Sequence, residues 1–151
     1  MTKDNILSED SYLAVIRLKG DIKIDKDIKD AFTYLNLKKR NWCTVIKNTP
    51  SNLGQLNKVK DYSTYGVIDS QTLSLLVEKK GEIYTAPEKC RKGKIEYKRF
   101  IVINGKKYKK YFRLTPPIGG FEVKGTKRGF GEGGSLGNRS NEINDLIKKM
   151  I

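Results

Sequence analysis

Lys38-Lys39-Arg40-Asn41 sets three cations and an amide side by side, and the residues after it extend the pattern. Asn48, Ser51, Asn52 and Gln55 offer hydrogen bonds, and Lys58 and Lys60 add charge. Such side chains suit phosphate oxygens: cations neutralise them, while amides and hydroxyls fix the register. A helix that starts at Pro50 would aim its free N–H groups at the same target. The run has a plainer reading too, as the solvated end of a helix whose dipole welcomes cations. A second basic field covers 95–114, where Arg99, Lys107, Lys110 and Arg113 alternate with Tyr97, Phe100, Tyr108, Tyr111 and Phe112. A two-stranded ribbon of this kind can cover an RNA backbone, or simply pack its aromatic face on a core, and the two are compatible. A third group, Lys124, Lys127 and Arg128, stands in a glycine-rich tract.

These clusters dominate the charge of the chain. Thirty-one Lys and Arg face seventeen Asp and Glu, a formal net charge of +14. Residues 81–128 alone hold 14 basic and 4 acidic side chains, while 129–151 balance at 3 and 3. Cations this dense repel one another unless a polyanion neutralises them, and nucleic acid does so with release of counterions. The remaining chemistry is thin. There is no histidine, the usual general base near neutral pH. Cys43 and Cys90 are far apart and cannot supply a zinc site, so neither a metal nor a cofactor is expected. Cys43 reads as a small buried hydrophobe. Residues 129–134 spell G-x-G-x-x-G, but no buried strand leads in, the next helix starts late, and no acidic ribose ligand follows. Asp25, Asp27 and Asp30 read as capping and dipole partners of a helix rather than as a carboxylate site. No run nears the ~18 apolar residues of a membrane span, and Met1 to Asp10 has no apolar core of the secretory kind. The chain is expected to stay in the cytosol.

The elements that must position these residues alternate. Residues 12–19, YLAVIRLK, read as a strand covered on both faces for part of its length. An amphipathic helix is expected over 25–37, capped by Asp25, with Ile28, Ala31, Phe32 and Leu35 as one stripe. A strand over 42–47 precedes a helix capped by Thr49 with Pro50 at its first position. Leu53, Leu56, Val59 and the stem of Lys60 line its inner face. A short strand over 62–68 leads to a helix over 70–80, capped by Asp69, with Leu73, Leu76 and Val77 inward and Gly81 as its stop. The order β-α-β-α-β-α with short loops predicts an α+β core of the split β-α-β or ferredoxin-like type, a small sheet with helices on one face. Residues 82–94 read as an irregular connector, and Asn104-Gly105 as the turn of a hairpin over 95–114. Residues 115–137 carry eight glycines and read as a structureless tract, disordered or ordered by a partner. A terminal helix should run from Ser140 or Asn141 to Met150, with Ile143, Leu146, Ile147 and Met150 inward. One domain is expected for 1–151: a core over 12–80, a basic hairpin and Gly-rich C-terminal extension over 82–139, and the last helix over 140–151.

NTPSNLGQLNKVKDYSTYGVID at 48–69 closely resembles a segment of the archaeal-type L-thirty (eukaryotic L-seven) family of large-ribosomal-subunit proteins. AVIRLKG at 14–20, LNLKKRNWCTV at 35–45, FRLTPPIGGFE at 112–122 and GGSLGNRSNEINDLIKKMI at 133–151 match in the same order. The resemblance covers about three quarters of the chain. It implies a β-α-β-α-β core with an antiparallel sheet, binding to large-subunit rRNA, and no catalysis. It assigns RNA contact to Lys38, Lys39, Arg40 and Asn41, to Thr49, Pro50, Asn52, Gly54 and Gln55, to Lys58 and Lys60, and to Arg113, Pro116 and Pro117. It adds the loop from Gly133 and Gly134 to Arg139. Two departures stand out. Residues 82–111 are shorter than the family's usual insertion, and Asn41-Trp42 replaces a common Asn-His.

The expected function is a structural constituent of the large ribosomal subunit that binds its rRNA and supports folding and assembly. Expected partners are large-subunit rRNA, with the subunit's small rRNA a possible second, and neighbouring ribosomal proteins; DNA, a membrane and self-association are not expected. Two rivals stay open. A free-standing module of the RRM kind needs K/R-G-F/Y-G/A-F-V-x-F/Y, which is absent. A small phosphate hydrolase needs an Arg–Asn pair on a phosphate loop; Asn138 and Arg139 are available, but in a glycine loop that better fits the ribosomal resemblance.

Overall fold

A computed structural model describes residues 11–151; the ten residues before them, including the polar segment read above as lacking a signal, lie outside it. Strand β1 (Tyr12–Arg17) is the centre of a five-stranded sheet in the order β6 (Phe112–Arg113), β2 (Trp42–Lys47), β1, β3 (Ser63–Val67), β7 (Gly137–Asn138). Its antiparallel neighbours are β2 (Trp42–Lys47) and β3 (Ser63–Val67), with Ile16 opposite Cys43 on one side and Thr64 on the other. The near-continuous apolar run follows from this place, because both faces of β1 are covered. Leu13 and Val15 pack with Ala31, Phe32, Leu56 and Val59 of α1 (Lys26–Tyr34) and α2 (Pro50–Val59). Ala14 and Ile16 point the other way, as the two-residue period requires.

Helix α2 begins as its sequence dictates: Thr49 accepts the Asn52 N–H at 3.3 Å, and Pro50 follows. Lys60 is exposed, so its stem does not line the inner face. Asp25 occupies the cap position of α1 with extended backbone, but its side chain makes no capping bond. That helix closes at Tyr34, three residues before the expected end at 37, because Asn36 turns at φ 60°.

The two helices that link the first three strands share one face, as predicted. The third, α3 (Ser70–Lys80), does not join them. Leu76 and Val77 pack on the opposite face with α4 (Ile143–Met150), whose Ile143, Leu146, Ile147 and Met150 are all buried. Asp69 makes no side-chain cap; its N–H goes to Asn144 Oδ1 at 3.0 Å, tying α3 to α4. Gly81 ends α3 at φ −65°, outside the left-handed region, and is small because a Cβ there would lie 2.3 Å from the Val77 carbonyl oxygen and 3.1 Å from the Tyr108 ring. Gly66 lets α4 approach β3. A Cβ there would lie 2.1 Å from the Ser140 carbonyl oxygen and 3.0 Å from Ile143. Gly66→Ala should therefore cost about 2 kcal/mol or more, read as a lowered urea midpoint.

Asn104 and Gly105, at φ 50° and 75°, make the expected turn between β4 (Phe100–Ile103) and β5 (Lys106–Lys109). The hairpin is shorter than predicted. Phe112 and Arg113 leave it as β6 and pair with Cys43 and Trp42. The glycine-rich tract is not structureless either. It forms short 3₁₀ turns at Gly125–Lys127 and Phe130–Glu132, then β7 (Gly137–Asn138), which runs parallel to β3.

Candidate nucleic-acid interface

Register decides which of the predicted contacts can meet. Arg17 stands opposite Ser63, Trp42 opposite Arg113, and Thr64 opposite Gly137. The end of β1 therefore shares one edge of the fold with the loops before β2 and β3. Lys19, the Lys38–Asn41 loop, Lys60 and Arg113 lie there, and Lys58 closes α2 on the same side. Tyr12 pairs with Lys47 at the far end, which leaves Thr49, Pro50 and Asn52 a helix length away, about 15 Å. Thr49 and Asn52 are in any case occupied locally, since Asn52 Nδ2 donates to the Lys47 carbonyl at 2.8 Å. Gly54 is exposed on open surface and Gln55 is half-buried on the same helix.

The basic loop before β2 is held from inside. Arg17 is 2% exposed. Its Nη1 donates to the carbonyls of Leu37 at 2.9 Å and Lys38 at 3.1 Å, and its Nε to that of Lys19 at 2.8 Å. Nη2 reaches Asp21 at 2.6 Å, and the guanidinium lies 4.1 Å from the Phe32 ring centroid. Asn41 takes φ 62° and donates its N–H to the Arg17 carbonyl at 2.7 Å. Arg40 Nε binds the Leu18 carbonyl at 3.2 Å, so its backbone-facing edge is fixed while the side chain stays exposed.

Two recesses open at this end. One, of about 460 Å³, collects Lys19, Lys60, Lys127 and Arg128 around Asp61 and Glu132. Lys124 adjoins it beside Lys127 and Arg128. The other, of about 750 Å³, is lined by Lys38, Arg99, Lys110, Trp42, Tyr84 and Tyr111 among others. Among the described residues, Lys19, Lys38, Lys39, Arg40, Lys60, Arg99, Lys110, Lys124 and Lys127 have no carboxylate partner. Arg128 meets Glu132 only at 3.9 Å, with both side chains 66% exposed, a contact of little worth.

The model of the "Ribosomal protein L30p/L7e" family matches residues 13–62. A large ribosomal subunit protein uL30 of Methanopyrus kandleri is 35% identical over 150 residues, 89% of this chain and all of the relative. Those of Korarchaeum cryptofilum and Methanococcus maripaludis are 35% and 38% identical, over 96% and 91% of this chain and 98% of each relative. The chain belongs to the uL30 family. It is thus a structural ribosomal protein and not an enzyme, which disposes of the hydrolase and of the free-standing module.

Membership in the uL30 family does not make every predicted contact available, and several are spent inside the fold. Arg139 is 4% exposed. Its Nη2 donates to Glu122 Oε2 at 2.7 Å, Nη1 to Glu122 Oε1, and Nε to Thr64 Oγ1 at 2.8 Å. Glu122 also accepts from Ser135. Burial alone would raise the Glu122 carboxyl, but the hydrogen bonds from Arg139 and Ser135 outweigh it and hold the group at about 2. Arg139 is therefore corrected from a surface contact to an internal tie. Pro117 is buried while Pro116 is exposed. Gly134 is buried too, where a Cβ would lie 2.1 Å from the Arg128 carbonyl oxygen; Gly133 is exposed at φ 85°.

The hairpin and β6 spend part of their charge on the connector that precedes them. Lys107 pairs with Glu88, while Lys109 and Arg113 both bind Glu82, at 2.7 and 2.5 Å. Arg113 first and Lys109 second bring the Glu82 carboxyl down to about 2. Arg99 instead lies over the Tyr97 ring at 4.5 Å. Sequence reasoning missed Lys19, whose ammonium sits 5.4 Å from the Tyr62 ring centroid, and it missed Arg17. The polar Arg17 inside a strand otherwise buried on both faces was the available signal.

Proposed function

We propose that this chain binds large-subunit rRNA through the cationic end of its sheet and so supports folding and assembly of the subunit. The observation that carries it is the convergence of Lys19, Lys38, Lys39, Arg40, Lys60, Lys124 and Lys127, from separate segments, without carboxylate partners among the described residues. Lys58, Arg99, Lys110 and Arg128 extend this field, Arg113 and Asn41 border it, and Gly133 gives backbone access in the adjoining loop. Thr49, Pro50, Asn52, Gly54 and Gln55 would form a second, weaker contact. Residues 12–151 act as one domain, because β6, β7 and α4 complete the sheet and core begun by 12–80. The place of work is the cytoplasmic ribosome, among rRNA and neighbouring ribosomal proteins.

Affinity for large-subunit rRNA fragments should fall steeply as salt rises, because each neutralised phosphate releases counterions. Lys60→Gln and Lys127→Gln should each lower the slope of log affinity against log salt by about 1, uniformly across RNA sequences. Affinity indifferent to salt, or cosedimentation of the double variant with large subunits at high salt as complete as the parent's, would contradict the reading.

A further inference from the structure

The rings of Trp42 and Tyr111 lie 4.2 Å apart and within 9° of parallel. They bring together β2 of the core and the segment that leaves the hairpin. A stack of this kind would dock the hairpin without any charge nearby. Yet Lys38, Arg99 and Lys110 line the same recess, and none of the described residues that line it is a carboxylate. The recess of the Lys19–Arg128 group differs on that point, since Asp61 and Glu132 temper its cations. Lys109 is also on the wall, but its ammonium is taken by Glu82 at 2.7 Å. Three uncompensated cations around half-buried aromatic rings ask for a ligand that is flat and apolar in one part and anionic in another. A recess of about 750 Å³ is within the size range of small-ligand sites.

We propose that this recess takes one unpaired nucleotide of an RNA strand. Its base lies against the Trp42–Tyr111 pair, and its phosphates rest on Lys38, Arg99 and Lys110. Base–aromatic stacking with a cationic groove is how proteins hold single strands, whereas duplex bases are already stacked on each other. The site rests on the rRNA-binding reading above, and it adds a requirement that reading does not make: an unstacked base.

Trp42 is the sole tryptophan of the chain, so its emission reports this recess alone. The full chain would be titrated with a single-stranded RNA decamer, with a duplex of the same length, and with AMP, while binding is followed in parallel by gel mobility. The single strand should change Trp42 emission in step with binding, and the duplex should bind without that change. AMP, carrying one phosphate, should need at least about tenfold more ligand. Tyr111→Leu should weaken single-strand affinity about tenfold and leave duplex affinity within about twofold. If Tyr111→Leu loses its fold by circular dichroism, acrylamide quenching of Trp42 in the parent chain carries the test: the single strand should shield the indole, the duplex should leave it as open as in the free protein, and equal shielding by both overturns the recess. Single-strand binding with unchanged Trp42 emission overturns the recess and leaves the rRNA reading standing. AMP binding as tight as the decamer overturns the strand in favour of a free nucleotide. Binding of neither RNA overturns the recess together with the reading it rests on.

Discussion

Glu122→Gln should destabilise the protein by about 3 kcal/mol, because it leaves the guanidinium of Arg139 buried without its counter-charge. Arg139 is 3% exposed at its side chain and Glu122 28%. The pair joins residues seventeen apart, and Thr64 and Ser135 are bonded to it. The loss therefore concerns the seam between the extension and β3, and not a surface ion pair. Replacing both partners with Met and Leu should recover most of the loss, since neither a charge nor an empty site then remains. The effect of pH follows with a definite sign. The folded carboxyl titrates near 2 against an ordinary 4.5. Its contribution is complete above about pH 4.5 and disappears as pH falls toward 2, because the unfolded chain takes up the proton first. Glu82 is depressed into the same window, but Arg113 and Lys109 are 59% and 34% exposed and its share is screened. Urea unfolding at pH 7 and pH 3 separates the two: Glu122→Gln should flatten the pH dependence far more than Glu82→Gln. Equal flattening by both would show that the buried tie carries no special weight.

Arg17→Met should cost about 3 kcal/mol and should also weaken RNA binding about tenfold at temperatures where the variant is folded. The apolar stem is kept, so packing against Phe32 survives in part. What goes is the set of donors that satisfies the carbonyls of Lys19, Leu37 and Lys38. Those three residues frame the loop that presents Lys38, Lys39 and Arg40. Arg17→Lys should rescue little, because one ammonium cannot reproduce the planar fork that meets these carbonyls and Asp21 together. Chemical denaturation gives the first effect and filter binding of rRNA fragments the second. Parental affinity in a folded Arg17→Met chain would mean that the loop keeps its shape unaided.

Much of the core was legible because its signals are local. Thr49-Pro50 starts α2, Asn104-Gly105 turns the hairpin, and the apolar residues of α4 fall where their spacing puts them. The larger misreadings share one cause: they depend on partners distant in sequence. The apolar residues of α3 were found, but its face of the sheet depends on α4, more than sixty residues later. β6 and β7 are two residues each: Phe112 and Arg113 read as the end of the hairpin and Gly137 and Asn138 as loop, and only pairing with β2 and β3 puts them in the main sheet. Arg139 in a glycine loop reads as a surface cation until Glu122 is seen beside it. Trp42 and Tyr111 belong to separate elements in any linear reading, and only the fold stacks them. The exposed cations of 38–40, 58–60 and 124–128 were legible by type alone, whereas buried Arg17 and Arg139 were not, because their roles are set by the carbonyls and the carboxylate they meet.

The flanks of the sheet have a bearing on synthesis. β2 and β3 are six and five residues long, and each is bordered on its outer side by only two residues contributed from the C-terminal half. Until those residues emerge from a translating ribosome, both outer rows of backbone N–H and C=O groups are a template for another copy's strand. The nascent polypeptide should thus offer its longest unpaired edges after Val67 has appeared and before Asn138 has.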